Sequence, residues 1–322
     1  MCLKQEKIEN DCYMMHVSRY LWILLLMSAM MVCNAQHPVR ENSGKSKAFT
    51  LPAIPVMLTD SADRYNYLVA HYWDNFDFND TTLIHKPDIT EQAIVNFLYI
   101  FRFVDKERAI ASVIATLKRA ETEILGIMYE YFLEMLEKFL YMPNSVVRNE
   151  ELYIPVAEYI VNNDNSDVAK KERAKYLLGL MMKNRLGYIA TDFRYTLKSG
   201  ESGTLHKLQA PYTLLVFYDP DCDGCANSIR FMKSAPAILD GLKSKNLQIL
   251  AFYPDNDYEV WKRHLADIPP DWINSYDKER KVKESEMYDL KGLPAIYLLD
   301  ENKKVILKNV IAPEVESYFS KI

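Results

Sequence analysis

The sequence has no basic tract, and its formal net charge is −5, so it lacks the electrostatic footprint of a nucleic-acid-binding chain. It also lacks a tight histidine pair. His71 and His85 have Asp74, Asp77 and Asp80 between them, but without H-x-x-x-H spacing or a nearby cysteine they make a poor metal-binding set. The apolar run Tyr20–Val32 is too short for a membrane span of ordinary length. Cysteine is scarce, with five in 322 residues: Cys2, Cys12, Cys33, Cys222 and Cys225. Nothing points to disorder, because a 49% hydrophobic content is ample for folded cores and the length suggests two domains.

The cysteines become informative once the N-terminus is read. Arg19, the apolar run and Cys33-Asn34-Ala35 have the shape of a secretory signal cleaved after Ala35, which predicts an exported protein. The stretch Cys2–Tyr13 is of mixed charge and unlike a basic leader, so translation is expected to start at Met14 or Met15. An uncleaved N-terminal anchor is one alternative and a lipid anchor on Cys33 another; Val32 is larger than lipoprotein processing usually accepts. Cleavage after Ala35 leaves only Cys222 and Cys225. An exported chain that keeps two cysteines in one C-x-x-C has no disulfide framework. Their role is expected to be mutual.

Residues 36–58, with Pro38, Gly44, Pro52 and Pro55, read as an exposed linker with little structure. A helical domain is predicted over 59–186. Tyr65, Leu68, Val69, Tyr72, Trp73 and Phe76 form one apolar helical face. Asp88 and Glu91 have capping-box spacing ahead of the apolar segment 93–104, and a long amphipathic run from Leu117 to Phe139 ends at Met142-Pro143. Two further helices, near 150–162 and 166–184, complete a bundle. Its aromatic and methionine stripe is read as core rather than a ligand groove.

The second domain, 187–322, alternates. A hairpin is predicted around 192–207, then a strand from Leu214, a helix with the two cysteines, a strand at 247–253, helices near 258–266 and 278–288, a terminal hairpin after Pro294 and a closing helix from Pro313. The predicted fold class is therefore an N-terminal helical bundle followed by an α/β domain.

The chemistry centres on Leu214-Leu-Val-Phe-Tyr218, Asp219-Pro-Asp221 and Cys222-Asp-Gly-Cys225. The first five residues suit a buried strand. Apolar residues then recur at helical spacing (Cys225, Ile229, Met232, Ala235), which places Cys222 at a helix N-terminus. There the unpaired backbone N–H groups and the helix dipole favour a thiolate, the nucleophile of disulfide exchange. Other readings fit less well. A purely structural bridge over two intervening residues closes almost no loop. A zinc half-site lacks two ligands, and His206 and His264 are weak substitutes. A peroxiredoxin site would place Thr three residues before its reactive cysteine, where Asp219 precedes Cys222.

These features, together with Gly292-Leu-Pro294-Ala-Ile-Tyr-Leu-Leu-Asp300 and the break at Pro236, resemble a thioredoxin-like domain of the TlpA/ResA type over about 187–322. The resemblance implies a mixed β-sheet flanked by helices and a catalytic pair, Cys222 and Cys225. It further implies that Pro294 follows a cis bond, packs beside the cysteines and helps a substrate strand dock. The N-terminal half, through Tyr67-Leu-Val69 and His71–Phe78, is similar to helical domains of unknown function found before thioredoxin-like domains in exported Bacteroidetes proteins, which implies a periplasmic setting.

The implied activity is thiol–disulfide exchange with protein disulfide or thiol substrates and an upstream thiol electron donor, with no cofactor or metal and a possible protein partner for the helical domain. The alternative is a non-catalytic binding protein built on the same scaffold. Two departures from the family pattern matter. The usual Trp-Cys-x-Pro-Cys is replaced by Asp221-Cys-Asp-Gly-Cys225, and Val216 stands where thioredoxin has a buried acid, so another group or water must move the proton of the resolving thiol. Asp219, Asp221 and Asp223 oppose negative charge at the first sulfur, which disfavours the reduced pair and predicts a reductant- or isomerase-leaning site.

Overall fold

Asp60 starts the first helix. Its carboxylate accepts from the backbone N–H groups of Ala62 and Asp63 at 2.8 and 3.2 Å, satisfying donors that the helix leaves free. The computed structural model describes residues 49–322; the expected signal segment, its cleavage site and the linker before residue 49 lie outside the described residues. Among the described residues no helix is long and apolar enough to cross a membrane. Residues 49–60 contain no helix or strand, yet Phe49 stacks on Tyr72 with ring centroids 5.1 Å apart.

Six α-helices follow: α1 (Ser61–His71), α2 (Thr90–Ile100), α3 (Lys106–Ala120), α4 (Ile127–Leu140), α5 (Glu150–Asn162) and α6 (Val168–Met181). Tyr72, Trp73, Phe76, Phe78, Phe97 and Phe132 are buried together in their core. Each such side chain contributes roughly 1.5–3 kcal/mol on burial. Asparagine and aspartate caps at Asp105, Asn149 and Asp167 start α3, α5 and α6.

Two local expectations are corrected. Asp88 does not cap α2, whose N-cap is Ile89 without a side-chain bond. The first N–H groups go instead to carbonyls of the preceding turn: Thr90 N–H to Lys86 and Gln92 N–H to Pro87, both at 3.0 Å. The run from Leu117 to Phe139 is not one helix but α3 and α4. Gly126 sits at φ 72° between them, a left-handed conformation that glycine adopts without a Cβ clash. The Glu123 carboxylate closes the break by accepting from the N–H groups of Leu125 and Ile127, both at 2.7 Å.

From Arg194 the chain builds a seven-stranded sheet: β1 (Arg194–Leu197), β2 (Ser202–Thr204), β3 (Tyr212–Phe217), β4 (Leu247–Tyr253), β5 (Ile273–Tyr276), β6 (Ala295–Leu299) and β7 (Val305–Lys308). The order is β2-β1-β5-β4-β3-β6-β7. Strands β3, β4 and β5 are mutually parallel, whereas β1, β6 and β7 pair antiparallel with their neighbours. Between the strands lie α7 (Asp223–Met232), α8 (Pro236–Lys243), α9 (Tyr258–Arg263) and α10 (Lys281–Glu284), and α11 (Ala312–Phe319) closes the chain.

Central β3 is covered on both sides: Leu214 and Val216 enter one core, Leu215 and Phe217 the other, and all four are 0% exposed. That double burial is why it reads as a continuous apolar run. Strand β5 was not anticipated, and the helix expected near 278–288 is only the single turn α10.

The helical and sheet parts are joined by a buried polar network. Lys308 donates to the carbonyls of Met181 and Lys183 at 2.8 and 2.9 Å and pairs with Glu150 at 2.9 Å. Glu150 also accepts from Arg148 at 2.5 Å and from Asn309 at 3.1 Å. Nearby, the Tyr141 hydroxyl donates to Asp289 at 3.2 Å, Asp289 pairs with Lys291, and the Lys291 ammonium lies 3.4 Å from the centre of the Tyr141 ring.

Candidate redox site

At its C-terminal end β3 delivers the chain to Asp219. Cys222 is then the N-cap of α7, with extended backbone at φ −98° and ψ 116°, and its sulfur accepts the Cys225 N–H at 3.2 Å. The thiol thus fills a place usually held by Ser, Thr, Asp or Asn, whose side chains meet the free N–H groups of the first turn. Those groups and the dipole make the same place favourable for a sulfur anion. Both cysteines are free thiols.

The two sulfurs differ in environment. Cys222 is half-buried, while Cys225 is 1% exposed. Burial pushes the Cys225 thiol up; the Asp219 backbone N–H, 3.5 Å from its sulfur, opposes this, and the charges of Cys222 and Asp219 add to it. Alkylation of the reduced protein with limiting iodoacetamide is therefore expected to modify Cys222 first. Peptide mapping checks the order, and faster labelling of Cys225 would contradict this account of access.

Pro294 completes the site. The Leu293–Pro294 bond is cis, as the resemblance implies, and the Cys222 thiol points at the Leu293 carbonyl 3.7 Å away. A Cβ placed on Gly224 would lie 3.8 Å from the Cys222 sulfur and 4.0 Å from both the Leu293 oxygen and Pro294 Cδ. Cys222, Gly224 and the proline loop therefore converge on one spot, although they come from α7 and the loop before β6.

The acidic residues spread outward. Asp219 is half-buried and accepts the Asp221 N–H at 2.8 Å. Asp223 is exposed on the first turn of α7. Asp221 is also exposed and meets His264, whose other ring nitrogen lies 2.8 Å from Asp267. Sequence reasoning missed this bridge, although His264 and Asp267, three residues apart, carried a signal of one-turn pairing. Burial pushes the hydroxyl of Tyr253 up to about 12, with Asp219, Asp255, Asp257 and Asp221 nearby adding to the effect.

Val216 is fully buried and apolar. His206 sits on the Ala190 carbonyl at 2.7 Å, and His71 pairs with Asp74 at 2.8 Å. Among the described residues no group of three or more His, Cys, Asp or Glu side chains could hold a metal ion.

Comparison with known proteins bears on both parts. The family model for a domain of unknown function, DUF5106, matches residues 29–184. A thioredoxin-like protein from Bacteroides caccae ATCC 43185 is 41% identical, with 86% of this chain and 99% of that chain covered and a TM-score of 0.81. The C-terminal domain of an uncharacterized protein from Bacteroides fragilis NCTC 9343 is 44% identical over 42% of this chain and 98% of that chain, with a TM-score of 0.42. A conserved protein of unknown function from Bacteroides fragilis is 34% identical over the same 42% of this chain and 98% of that chain, with a TM-score of 0.41. No curated protein matches the sequence. With near-complete coverage of a 41% identical relative and a cis-proline loop meeting a C-x-x-C helix, the chain belongs to the thioredoxin-like proteins, its sheet part preceded by a DUF5106 domain.

Proposed function

We propose that this protein is an exported, periplasmic thiol–disulfide oxidoreductase acting on protein disulfides. The observation that carries the reading is the pairing of a half-buried thiol at a helix N-terminus with a buried second thiol, both beside a cis-proline loop. In this reading the Cys222 thiolate attacks a substrate disulfide, forming a mixed disulfide and releasing one substrate thiolate. The Cys225 sulfur then attacks Cys222 after losing its proton, closing the Cys222–Cys225 disulfide and releasing the second substrate thiol. Two electrons pass to the substrate, and an upstream dithiol donor restores the reduced pair. Pro294 presents the backbone against which the substrate strand docks.

Insulin reduction by dithiothreitol tests this reading, and the protein is expected to accelerate it. No acceleration would favour the alternative in which the fold serves only as a binding scaffold.

The site is further proposed to lean toward reduction or isomerisation, because three carboxylates, Asp219, Asp221 and Asp223, flank the first cysteine in sequence and negative charge close to a thiolate works against a reduced pair. Exposure of Asp221 and Asp223 limits the effect through solvent and salt screening. The double variant Asp221→Asn with Asp223→Asn is expected to raise the reduction potential by up to about 30 mV at low salt, equivalent to about a tenfold change in equilibrium constant for a two-electron couple. Equilibration against glutathione measures it; an unchanged potential at low ionic strength would remove the basis for a reductant leaning.

A further inference from the structure

We infer that the helical part supplies a second wall of the substrate cleft, and that the cavity between residues 143–151 and the end of β7 receives the polypeptide segment flanking the cysteine captured by Cys222. This rests on the disulfide-exchange reading and says what the helical part adds to it.

The cavity holds about 520 Å³. Pro143, Val146 and Arg148 form its helical wall, Asn309 and Ile311 its opposite wall, and Leu186 lies between. Residue contacts on both sides of the proline loop lead from the redox site to its walls. The Cys222 thiol meets the Leu293 carbonyl at 3.7 Å, Leu293 follows Gly292, and a Cβ on Gly292 would come within 2.9 Å of Pro143. On the other side, the Val310 N–H donates to Ile296 at 3.2 Å, two residues beyond the cis-proline. A chain leaving the captured cysteine along the proline loop in that direction meets the 143–151 wall next.

The chemistry of the walls selects the occupant. Val146, Ile311 and Leu186 remain 92%, 63% and 44% exposed, an apolar rim of the kind that marks an interaction surface. Beneath it Arg148, Lys308 and Lys291 are already engaged by Glu150, Asp289 and the carbonyls of Met181 and Lys183. Of the charged residues that line the cavity, Arg148 and Lys308 are cationic and Glu150, Glu151 and Glu314 anionic, so it has little to offer a small anion. It suits a neutral, extended polypeptide with an apolar side chain. The chain just before Leu186 is tied to the segment that leads into the proline loop, because Lys183 and Asn184 donate to the carbonyls of Glu286 and Met287 at 2.7 and 2.8 Å.

The test uses the full chain carrying Cys225→Ser, so that the mixed disulfide on Cys222 persists. One sample captures a peptide of about eight residues, roughly 25 Å when extended, with one activated cysteine flanked by leucine and alanine. The other captures cysteamine from cystamine. Hydrogen exchange is then compared between the two adducts. Amides within 144–149 and 309–311 are expected to exchange about tenfold more slowly in the peptide adduct, a response to about 1.4 kcal/mol of added local stability. Protection confined to 293–296 would overturn the cavity assignment and leave the exchange chemistry standing. Failure of Cys222 to capture either reagent would overturn the exchange reading and this inference with it.

Discussion

Cys222→Ser is expected to reduce the acceleration of insulin reduction by on the order of a thousandfold or more, the scale on which loss of an enzyme nucleophile acts. The physical reason is specific to the first sulfur. It caps α7, accepts the Cys225 N–H at 3.2 Å and is the half-buried member of the pair, so in the proposed reaction attack on a disulfide is expected to begin there. A serine hydroxyl can keep the cap but cannot supply a thiolate.

Cys225→Ser should behave differently. The first attack survives, resolution does not, and a disulfide-linked complex accumulates that is visible on a non-reducing gel and released by reductant. The Cys222→Ser variant should give no such complex. If Cys222→Ser instead trapped substrate while Cys225→Ser did not, the assigned order of attack would be reversed.

The second large effect lies at the junction of the two parts. Lys308→Met is expected to destabilise the fold by about 3 kcal/mol, the lower end of the cost of breaking a buried pair, because Glu150 keeps Arg148 at 2.5 Å and Lys291 at 3.9 Å. The Lys308 side chain is 6% exposed and that of Glu150 10%, so water cannot easily replace the lost partner. Burial alone would raise the Glu150 carboxyl, but Lys308, Arg148 and Lys291 outweigh it and hold the carboxyl below the usual glutamate range.

A group depressed on folding contributes stability above its unfolded pKa and loses it as pH falls through its folded pKa. The difference between Lys308→Met and the parent is therefore expected to be full at neutral pH and to shrink in acid as Glu150 protonates. Urea titrations at several pH values measure it. Combining Lys308→Met with Glu150→Gln should cost less than the two single changes added together, since each of them already breaks the Lys308–Glu150 pair. A double variant less stable than the sum of the single effects would exclude this account.

The redox half was legible where its determinants are local. A doubly buried central strand must be apolar at successive positions, so Leu214–Phe217 stands out. A turn followed by helical spacing places Cys222 at a helix start, and Pro236 marks the division between α7 and α8. The helical half was less legible because periodicity survives an interruption of the right length. Ala120 and Ile127 are about two helical turns apart, so the apolar stripe runs in phase across the break. Only the left-handed Gly126 and the Glu123 carboxylate folded back on the following N–H groups mark it.

Strand β5 was hidden because Asn274 and Ser275 look polar in sequence. In the fold, Asn274 accepts from Tyr218 and Trp261 at 2.9 Å and Ser275 donates to Ala251 at 3.2 Å, partners supplied by other elements. By itself, then, the sequence determined the cysteine pair and its strand–turn–helix setting, since each depends on neighbours a few residues away, whereas Pro294 beside them was expected only through the family resemblance. Tertiary structure alone decided how the helical part meets that site. Tyr141 reaches Asp289 and Pro143 abuts Gly292 across nearly half the chain, and contacts of that separation depend on packing, which no local propensity encodes.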